Sequence, residues 1–279
     1  MSNLCDLHIH SHYSDGTCSP MELIRLAEAQ GLSAIALCDH NTIDGLPEFC
    51  TAGESSKVQA VPGIELSVDY AGTELHILGL FIQPSQYGKV NDLLEIYQRK
   101  KEDSNLTLVE TLNAAGYAID YEAIKGRTSG IPNRAHFAVE LTEKGYFPSI
   151  KACFQTILSS KNGLYVPPPR PDAFEAISFI KEIGSVAVLA HPFLSLQESA
   201  LREFLTAAVS YGLDGMETLY STFDENQTRL AQTIAAEFGL LQSGGSDFHG
   251  SNKPDISIGV GRGGLAVPLA FLHALETRK

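Results

Sequence analysis

Most histidines of this chain lie close to carboxylates, in short segments that run from one end of the sequence to the other. Seven of the nine histidines belong to the segments 6–15, 39–40, 65 with 76, 190–192 and 246–249. Imidazole and carboxylate groups are ligands for divalent metal ions, and these segments contain no cysteine. The pattern favours a site for several such ions, and with it a metal-dependent hydrolase.

The first segment shows how a fold would position these groups. In a strand, alternate residues share a face, so Asp6, His8 and His10 project together. His40, His191 and Asp247-Phe248-His249 also follow apolar runs, and the site of an α/β barrel lies at the C-terminal ends of its strands. One histidine alone is usually structural, but four strand ends that each carry one indicate a common site.

Short apolar runs alternate with amphipathic stretches, which is typical of βα units and a parallel sheet. The predicted strands are 4–10, 34–38, 59–64, 75–82, 186–190, 215–219 and 240–244. Capping residues and glycines indicate helices at 19–31, 172–184 and 224–239. This predicts an α/β fold, a distorted seven-stranded (β/α)7 barrel similar to the eight-stranded TIM barrel but with one unit fewer.

The segment 86–170 breaks this rhythm. It has helical patterns at 90–115, 137–144 and 149–158 and a proline-rich exit. It carries 11 basic and 9 acidic residues, against 9 and 24 in the remainder. We therefore expect a helical insertion domain at 86–170 in a barrel domain formed by 1–85 and 171–279.

Composition narrows the class of protein. The chain has 279 residues, 44% of them hydrophobic, and a net charge of −13, which argues against a large nucleic-acid partner and an anionic membrane. No apolar run reaches the roughly 20 residues of a membrane span. The five cysteines lack CxxC spacing and no signal peptide precedes the first motif, so a cytoplasmic protein with reduced thiols is expected. The oligomeric state stays open.

As a set, the motifs resemble the polymerase-and-histidinol-phosphatase (PHP) family of metal-dependent phosphoesterases, across essentially the whole barrel portion. The residues that carry the resemblance are Asp6-Leu7-His8-Ile9-His10-Ser11, Ser14-Asp15-Gly16-Thr17, Asp39-His40-Asn41-Thr42, Pro62-Gly63-Ile64-Glu65, His76-Ile77-Leu78-Gly79, Ala190-His191-Pro192 and Gly245-Ser246-Asp247-Phe248-His249.

The resemblance implies three neighbouring metal sites. The first would use His8, His10, Glu65 and Asp247; the second would share Glu65 and add His76 and His191; the third would take Asp15, His40 and His249. Two or three divalent ions are expected, with manganese as the first choice and iron or zinc as alternatives.

Other residues receive roles near these ions. His12 is expected to donate a proton or contact phosphate, or else to be an exposed loop histidine. His191 and Asp247 are counted as catalytic residues as well as ligands. Asp6 and Asp39 are expected either to orient imidazoles or to be buried structural carboxylates.

The resemblance extends to a substrate loop at 126–137, in which Arg127, Asn133, Arg134 and His136 would bind phosphate. It points to the branch that acts on nucleoside 3′,5′-bisphosphates and short 5′-phosphorylated RNA. Relatives tend to read Gly-Arg-Pro-His where this chain has residues 133–136, and they carry a histidine that segment 220–223 lacks. A solvated arginine pair is the plainer interpretation of this loop.

These implications lead to an expected function. The chain would hydrolyse a phosphate ester of a small nucleotide or short RNA by attack of a metal-bridging hydroxide, with no protein nucleophile. The alternatives are a histidinol-phosphate phosphatase or another small-molecule phosphatase, and a non-catalytic metal-binding regulatory module. Assays with each class of phosphoester would separate them.

Overall fold

The computed structural model describes residues 3–128, 131–159, 161 and 163–279. The chain divides into two compact units. The barrel unit comprises 1–91 and 171–279, and the insertion unit comprises 92–170. All residues of the predicted metal cluster belong to the barrel unit.

The barrel unit is built on one sheet. Its strands are β1 Leu4–Ile9, β2 Ala34–Leu37, β3 Gln59–Tyr70, β4 Thr73–Leu80, β5 Val186–Leu189, β6 Gly215–Tyr220, β7 Leu241–Gly245 and β8 Val267–Pro268. They are ordered β7-β6-β5-β4-β3-β2-β1-β8. Beyond β7, Phe248 forms a parallel bridge with Ile9, so the sheet nearly closes on itself. The prediction of a distorted seven-stranded barrel is confirmed, and the two-residue β8 is an addition at its edge.

Apart from the edge strand β8, which pairs antiparallel with β1, one strand departs from the parallel order. β4 pairs antiparallel with β3 and with β5, because β3 and β4 are joined by a two-residue turn rather than by a helix. Ala71 and Gly72 in that turn have φ values of 50° and 81°, as a tight hairpin turn requires. The hairpin places His76 opposite Ser67, two residues beyond Glu65 on β3. A helical connection would have separated these two side chains.

The helices surround the sheet or form the insertion unit. They are α1 Pro20–Gln30, α2 Leu46–Glu54, α3 Tyr87–Ala114, α4 Tyr121–Lys125, α5 Arg134–Glu143, α6 Ile150–Gln155, α7 Ala173–Glu182, α8 Pro192–Ser195, α9 Glu198–Ala208, α10 Glu225–Glu237 and α11 Leu269–Glu276. The predicted caps Ser19, Asp172 and Asp224 each accept hydrogen bonds from first-turn amides. Among the residues that the structure describes, no helix has the length and apolar character to cross a bilayer.

Each unit has its own core. In the barrel unit Cys5, Leu7 and Cys38 are fully buried with the apolar residues of neighbouring strands and of α11. The insertion unit packs α3 to α6 around Leu112, Phe137 and other buried residues. The cores explain why β1 points alternate residues in opposite directions: Cys5 and Leu7 join the apolar cluster, which leaves Asp6 and His8 for the other face.

Candidate metal centre

Glu65, on β3, lies at the middle of the predicted ligands and is fully buried. Its Oε1 is 2.7 Å from His76 Nδ1 and 3.0 Å from His191 Nε2. Its Oε2 is 3.0 Å from His40 Nδ1. One carboxylate thus contacts imidazoles from three different segments of the chain.

The two histidines at the end of β1 complete this arrangement. His8 Nε2 and His10 Nε2 each lie 3.2 Å from Glu65 Oε2. Asp247 approaches the same nitrogens, with Oδ1 3.1 Å from His10 Nε2 and 3.8 Å from His8 Nε2. Five imidazoles and two carboxylates therefore meet within contact distance.

A further group lies at the more exposed side of the cluster. Asp15 Oδ1 is 3.1 Å from His249 Nε2 and 3.8 Å from His10 Nδ1, and Asp15 Oδ2 is 3.9 Å from His40 Nε2. The Asp15 side chain is 54% exposed, whereas those of His8, His10 and Glu65 are 0% exposed. The cluster is accordingly open at Asp15 and closed beneath Glu65.

All nine predicted ligand residues belong to groups whose nitrogen and oxygen atoms lie close enough to share a metal ion. The groups are His10, Asp15, His40 and His249; His8, Glu65 and His191; His8, His10 and Asp247; and His40, Glu65 and His76. Several residues belong to two groups. The structure brings together every residue of the predicted ligand set, although their division among individual ions differs in detail from the predicted one.

Unsatisfied atoms show that these residues fit a cation. Among the described residues, the buried atoms without a hydrogen-bond partner include His8 Nε2, both ring nitrogens of His10, His40 Nδ1 and Glu65 Oε2. Leaving such atoms unpaired is unfavourable. A divalent ion would use these lone pairs, and a set of nitrogen and oxygen donors without thiolate suits manganese, iron or zinc.

Burial and the nearby carboxylates shift the pKa values of several histidines in the cluster. Burial lowers the pKa of His10, but the close contacts with the Asp247 and Glu65 carboxylates outweigh it and raise that pKa to about 9. Burial also opposes the charged form of His76, yet Glu65 raises its pKa to about 10. For His40 burial prevails, and the pKa falls to about 4. Without metal, imidazolium protons supply part of the positive charge that Glu65 requires.

A residue that the sequence did not indicate fixes two of these histidines. Glu217, fully buried on β6, lies with Oε1 3.0 Å from His8 Nδ1, and its Oε2 accepts a 2.7 Å hydrogen bond from the His191 backbone N–H. No motif marks this position. Its one signal in the sequence is a charged residue within an otherwise buried strand, between Met216 and Thr218.

Asp6 and Asp39 support loops rather than imidazoles. Asp6 accepts hydrogen bonds from the Ser246 hydroxyl and from the amides of Ser246 and Gly259, at 2.5, 2.8 and 2.7 Å. Asp39 binds Ser11 and Ser14 at 2.6 to 2.7 Å. Of the two expected roles, the structural one fits these contacts. Both carboxylates hold the segments that carry metal-ligand candidates.

The backbone is strained where ligand candidates leave the strands. His191 has φ of 27° and Asp247 has φ of 55°, and Asn41, next to His40, has φ of 50°. These values lie in the left-handed region, which non-glycine residues seldom adopt. Such strain is maintained by surrounding contacts and is frequent at functional sites.

His12 is not part of the cluster. It is exposed, and its ring stacks on Tyr13 with centroids 4.6 Å apart. Its backbone N–H donates to Cys18 O at 2.9 Å, which closes the loop that also carries Asp15.

The four candidate substrate residues lie in the insertion unit, where each has partners of its own. Arg127 pairs with Glu140 and Glu143, at 2.9 and 2.7 Å. Asn133 caps α5, and its own backbone N–H donates to His136 Nδ1, so these two form a capping box. Such a role was not anticipated.

Arg134 is held by aromatic rings of the same unit. Its guanidinium lies 4.9 Å from the Phe154 ring centroid and 4.8 Å from that of Tyr165, and Nη1 donates to Leu158 O at 3.3 Å. Contact of the planar guanidinium with two aromatic rings restricts its orientation.

Comparison with known proteins agrees with this geometry. A 5′-3′ exoribonuclease of Haemophilus influenzae is 32% identical over 250 residues, covering 89% of this chain and 91% of that protein. A 3′,5′-nucleoside bisphosphate phosphatase of Chromobacterium violaceum is 28% identical over 263 residues, covering 93% and 91%. A solved structure from Bifidobacterium adolescentis, described as a metal-dependent phosphoesterase, has a TM-score of 0.79 at 27% identity and covers 98% of this chain and 96% of that one.

The family itself is shown by a direct match. Residues 6–167, more than half of the chain, match the model of the PHP domain. That stretch includes six of the nine ligand candidates, and the remaining three, His191, Asp247 and His249, lie beside them in the barrel unit. The chain belongs to the PHP domain family and is a metal-dependent hydrolase of phosphate esters.

Proposed function

We propose that this enzyme hydrolyses a phosphate ester of a nucleoside 3′,5′-bisphosphate or of short 5′-phosphorylated RNA. The observation that carries the proposal is the cluster around Glu65, whose unpaired imidazole and carboxylate atoms suit a group of cations. The full-length relatives named for an exoribonuclease and for a nucleoside bisphosphate phosphatase support the nucleotide part.

Nine residues would hold two or three divalent ions, with manganese as the first choice: His8, His10, Asp15, His40, Glu65, His76, His191, Asp247 and His249. When bound, such ions neutralise charge on phosphoryl oxygens and make water a stronger nucleophile. Reliance on metal chemistry accounts for a site composed of imidazoles and carboxylates.

The protein prepares its ligands before any ion arrives. Glu217 lies at His8 Nδ1, so that nitrogen would keep its proton when Nε2, which faces Glu65 and Asp247, binds an ion. Glu217 also holds the His191 backbone. We therefore assign Glu217 the role of positioning two ligands.

Proton transfer and substrate approach take place at the open side of the cluster. Asp15 has the most exposed side chain among the nine ligand candidates, and His12 lies in the same loop. We propose that His12 donates a proton to the leaving oxygen, and that His191 and Asp247 act as catalytic ligands.

Selection of the substrate is assigned to the insertion segment 86–170. Arg127, Asn133, Arg134 and His136 are proposed to bind a second phosphate. Their support is chemical, because guanidinium groups match phosphate oxygens. Their contacts within the insertion unit mean that Arg127 would exchange a carboxylate partner for phosphate.

A substrate panel tests the proposal. Manganese-loaded enzyme would be assayed with a nucleoside 3′,5′-bisphosphate, a 5′-phosphorylated oligoribonucleotide and histidinol phosphate, with phosphate release as the readout. We expect turnover of the first or second at a kcat/KM at least about tenfold above the third. Turnover of histidinol phosphate alone would refute the nucleotide assignment and leave phosphoester hydrolysis intact. Enzyme treated with a chelator serves as the control.

A further inference from the structure

The two oxygens of the Asp247 carboxylate have different surroundings. Oδ1 faces the imidazoles, 3.1 Å from His10 Nε2. Oδ2 accepts two hydrogen bonds, from the Tyr220 hydroxyl and from Lys253 Nζ, both at 2.7 Å. These two donors occupy the acceptor positions of Oδ2. Asp247 therefore offers Oδ1 alone to a cation and uses Oδ2 to hold Tyr220 and Lys253.

Lys253 is unusual among the cationic residues of the protein. Within the described part of the chain, it is the one lysine or arginine that forms an ion pair with any of the nine ligand candidates. The Asp247 carboxylate contacts the Lys253 ammonium through Oδ2 and the His10 imidazole through Oδ1. The side chain is 37% exposed while that of Asp247 is 6% exposed. An ammonium has three N–H donors, and Asp247 uses one of them, so the others are available to a ligand.

The second donor to Asp247 Oδ2 is the buried Tyr220. Tyr220, at the end of β6, is 5% exposed, and its ring packs beside His191 with centroids 5.3 Å apart. Its hydroxyl donates to Asp247 Oδ2 at 2.7 Å, so Tyr220 fixes the orientation of the Asp247 carboxylate.

The backbone beneath Lys253 is also held in place. Asn252 Nδ2 donates to Asp15 O at 2.8 Å, and the Ser251 amide donates to Thr17 Oγ1 at 2.9 Å. These contacts fasten the segment that precedes Lys253 to the loop carrying a ligand candidate. A cation on an anchored segment loses less conformational freedom when it binds a ligand than one on a free loop.

We propose that Lys253 binds a non-bridging oxygen of the phosphoryl group that this enzyme hydrolyses, and that Tyr220 and Asp247 hold its ammonium for that contact. The ammonium is partly exposed while its carboxylate partner is buried, and this position beside the metal ligands suits contact with a phosphoryl oxygen. A charge-assisted contact to phosphate would strengthen as negative charge develops on the phosphoryl oxygens. The inference depends on phosphate-ester hydrolysis and not on the identity of the alcohol.

The test compares Lys253→Met, Lys253→Arg and a matched control, Lys181→Met. Lys181 also pairs with a carboxylate, Asp214, at 2.7 Å and is 28% exposed, but it lies on α7 outside the cluster. Binding of inorganic phosphate to manganese-loaded protein would be measured by titration calorimetry. We expect Lys253→Met to weaken phosphate binding about 10- to 100-fold.

The other variants and the metal content complete the design. Lys253→Arg should recover most of the phosphate affinity because it keeps the charge, and Lys181→Met should match the parent protein. Manganese content should stay unchanged in all three. Thermal unfolding confirms that each variant is folded.

Two results would overturn the assignment. The first is parental phosphate affinity in Lys253→Met. The second is loss of manganese from that variant, which would make Lys253 a positioning residue for Asp247 rather than a substrate contact. Because inorganic phosphate contains no nucleoside, neither result bears on the nucleotide proposal.

Discussion

The metal cluster and the arginine-bearing loop of the insertion unit differ in how their polar atoms are satisfied. Around Glu65, buried ring nitrogens such as His8 Nε2 have no hydrogen-bond partner among the described residues. In the insertion unit, Arg127 pairs with two glutamates and Arg134 lies against two aromatic rings. A site that lacks partners of its own requires a ligand, whereas a site with internal partners can also be structural. Substitutions in each region should therefore have different effects on metal content and on substrate binding.

The largest effect is expected when Glu65 is changed to Gln. This substitution removes the charge that five imidazoles share and leaves an amide in a fully buried position. We expect metal content to fall and phosphoesterase activity to drop by about 1000-fold or more. Glu182→Gln, at an exposed ion pair with Lys89, is the control. Full metal content in Glu65→Gln would contradict the central place of this carboxylate.

A smaller effect is expected at Glu217, which contacts His8 and His191 without belonging to the ligand set. Glu217→Gln should weaken manganese affinity by about 10- to 100-fold, as changes in groups that orient metal-bound histidines do. Competition with a fluorescent chelator measures this directly. Unchanged affinity would show that the His8 tautomer is fixed by other contacts.

The acid–base state of the cluster predicts a pH dependence. Metal must displace the protons of His10 and His76, whose pKa values are raised to about 9 and about 10, so manganese affinity should rise with pH across this range. Calorimetry in buffers of different ionisation enthalpy should detect proton release at pH 7. Binding without proton release would contradict these raised pKa values.

The stability of the metal-free protein should decrease with increasing pH, whereas the affinity for manganese should increase. Because the pKa values of His10 and His76 are higher in the folded protein than the ordinary value of 6.5, their protonation stabilises the folded state. This stabilisation is complete below pH 6.5 and is lost as the pH increases toward the folded-state pKa values. The free energy of unfolding of metal-free protein should therefore decrease between about pH 6.5 and pH 10. Chemical denaturation at several pH values, with and without manganese, checks this.

The smallest effect is expected in the insertion unit. Arg134→Met should leave metal content unchanged and raise KM for a nucleoside 3′,5′-bisphosphate about tenfold, with less effect on a monophosphate. Lys151→Met, at an exposed position of the same unit, is the control. Equal effects on both substrates would assign Arg134 to packing against Phe154 and Tyr165 alone.

Most strands of the barrel were predicted from the sequence, and all nine ligand candidates were named from it. Alternation in β1 placed Asp6, His8 and His10 correctly because the period of a strand is local information. The helix starts at Ser19, Asp172 and Asp224 follow from capping, which is also local. Each ligand candidate occupied a recognisable segment.

What the sequence did not predict depends on contacts between distant segments. Glu217 became visible only when β6 lay beside the segments carrying His8 and His191. The β3–β4 hairpin was missed because the predicted strand 59–64 ended where β3 continues to Tyr70. The phosphate contacts predicted for Asn133 and His136 stay a prediction, and the sequence analysis did not foresee that the same side chains also form the cap of α5.

The position of His40 has a consequence for how the ions assemble. Its Nδ1 faces Glu65 and its Nε2 faces Asp15, at 3.0 and 3.9 Å. A neutral imidazole has one lone pair in the ring plane to give, so His40 can ligate on one side or the other but not on both. Filling of the outermost position would thereby be coupled to the inner positions, and forms of the enzyme that differ by one ion would need no change of fold.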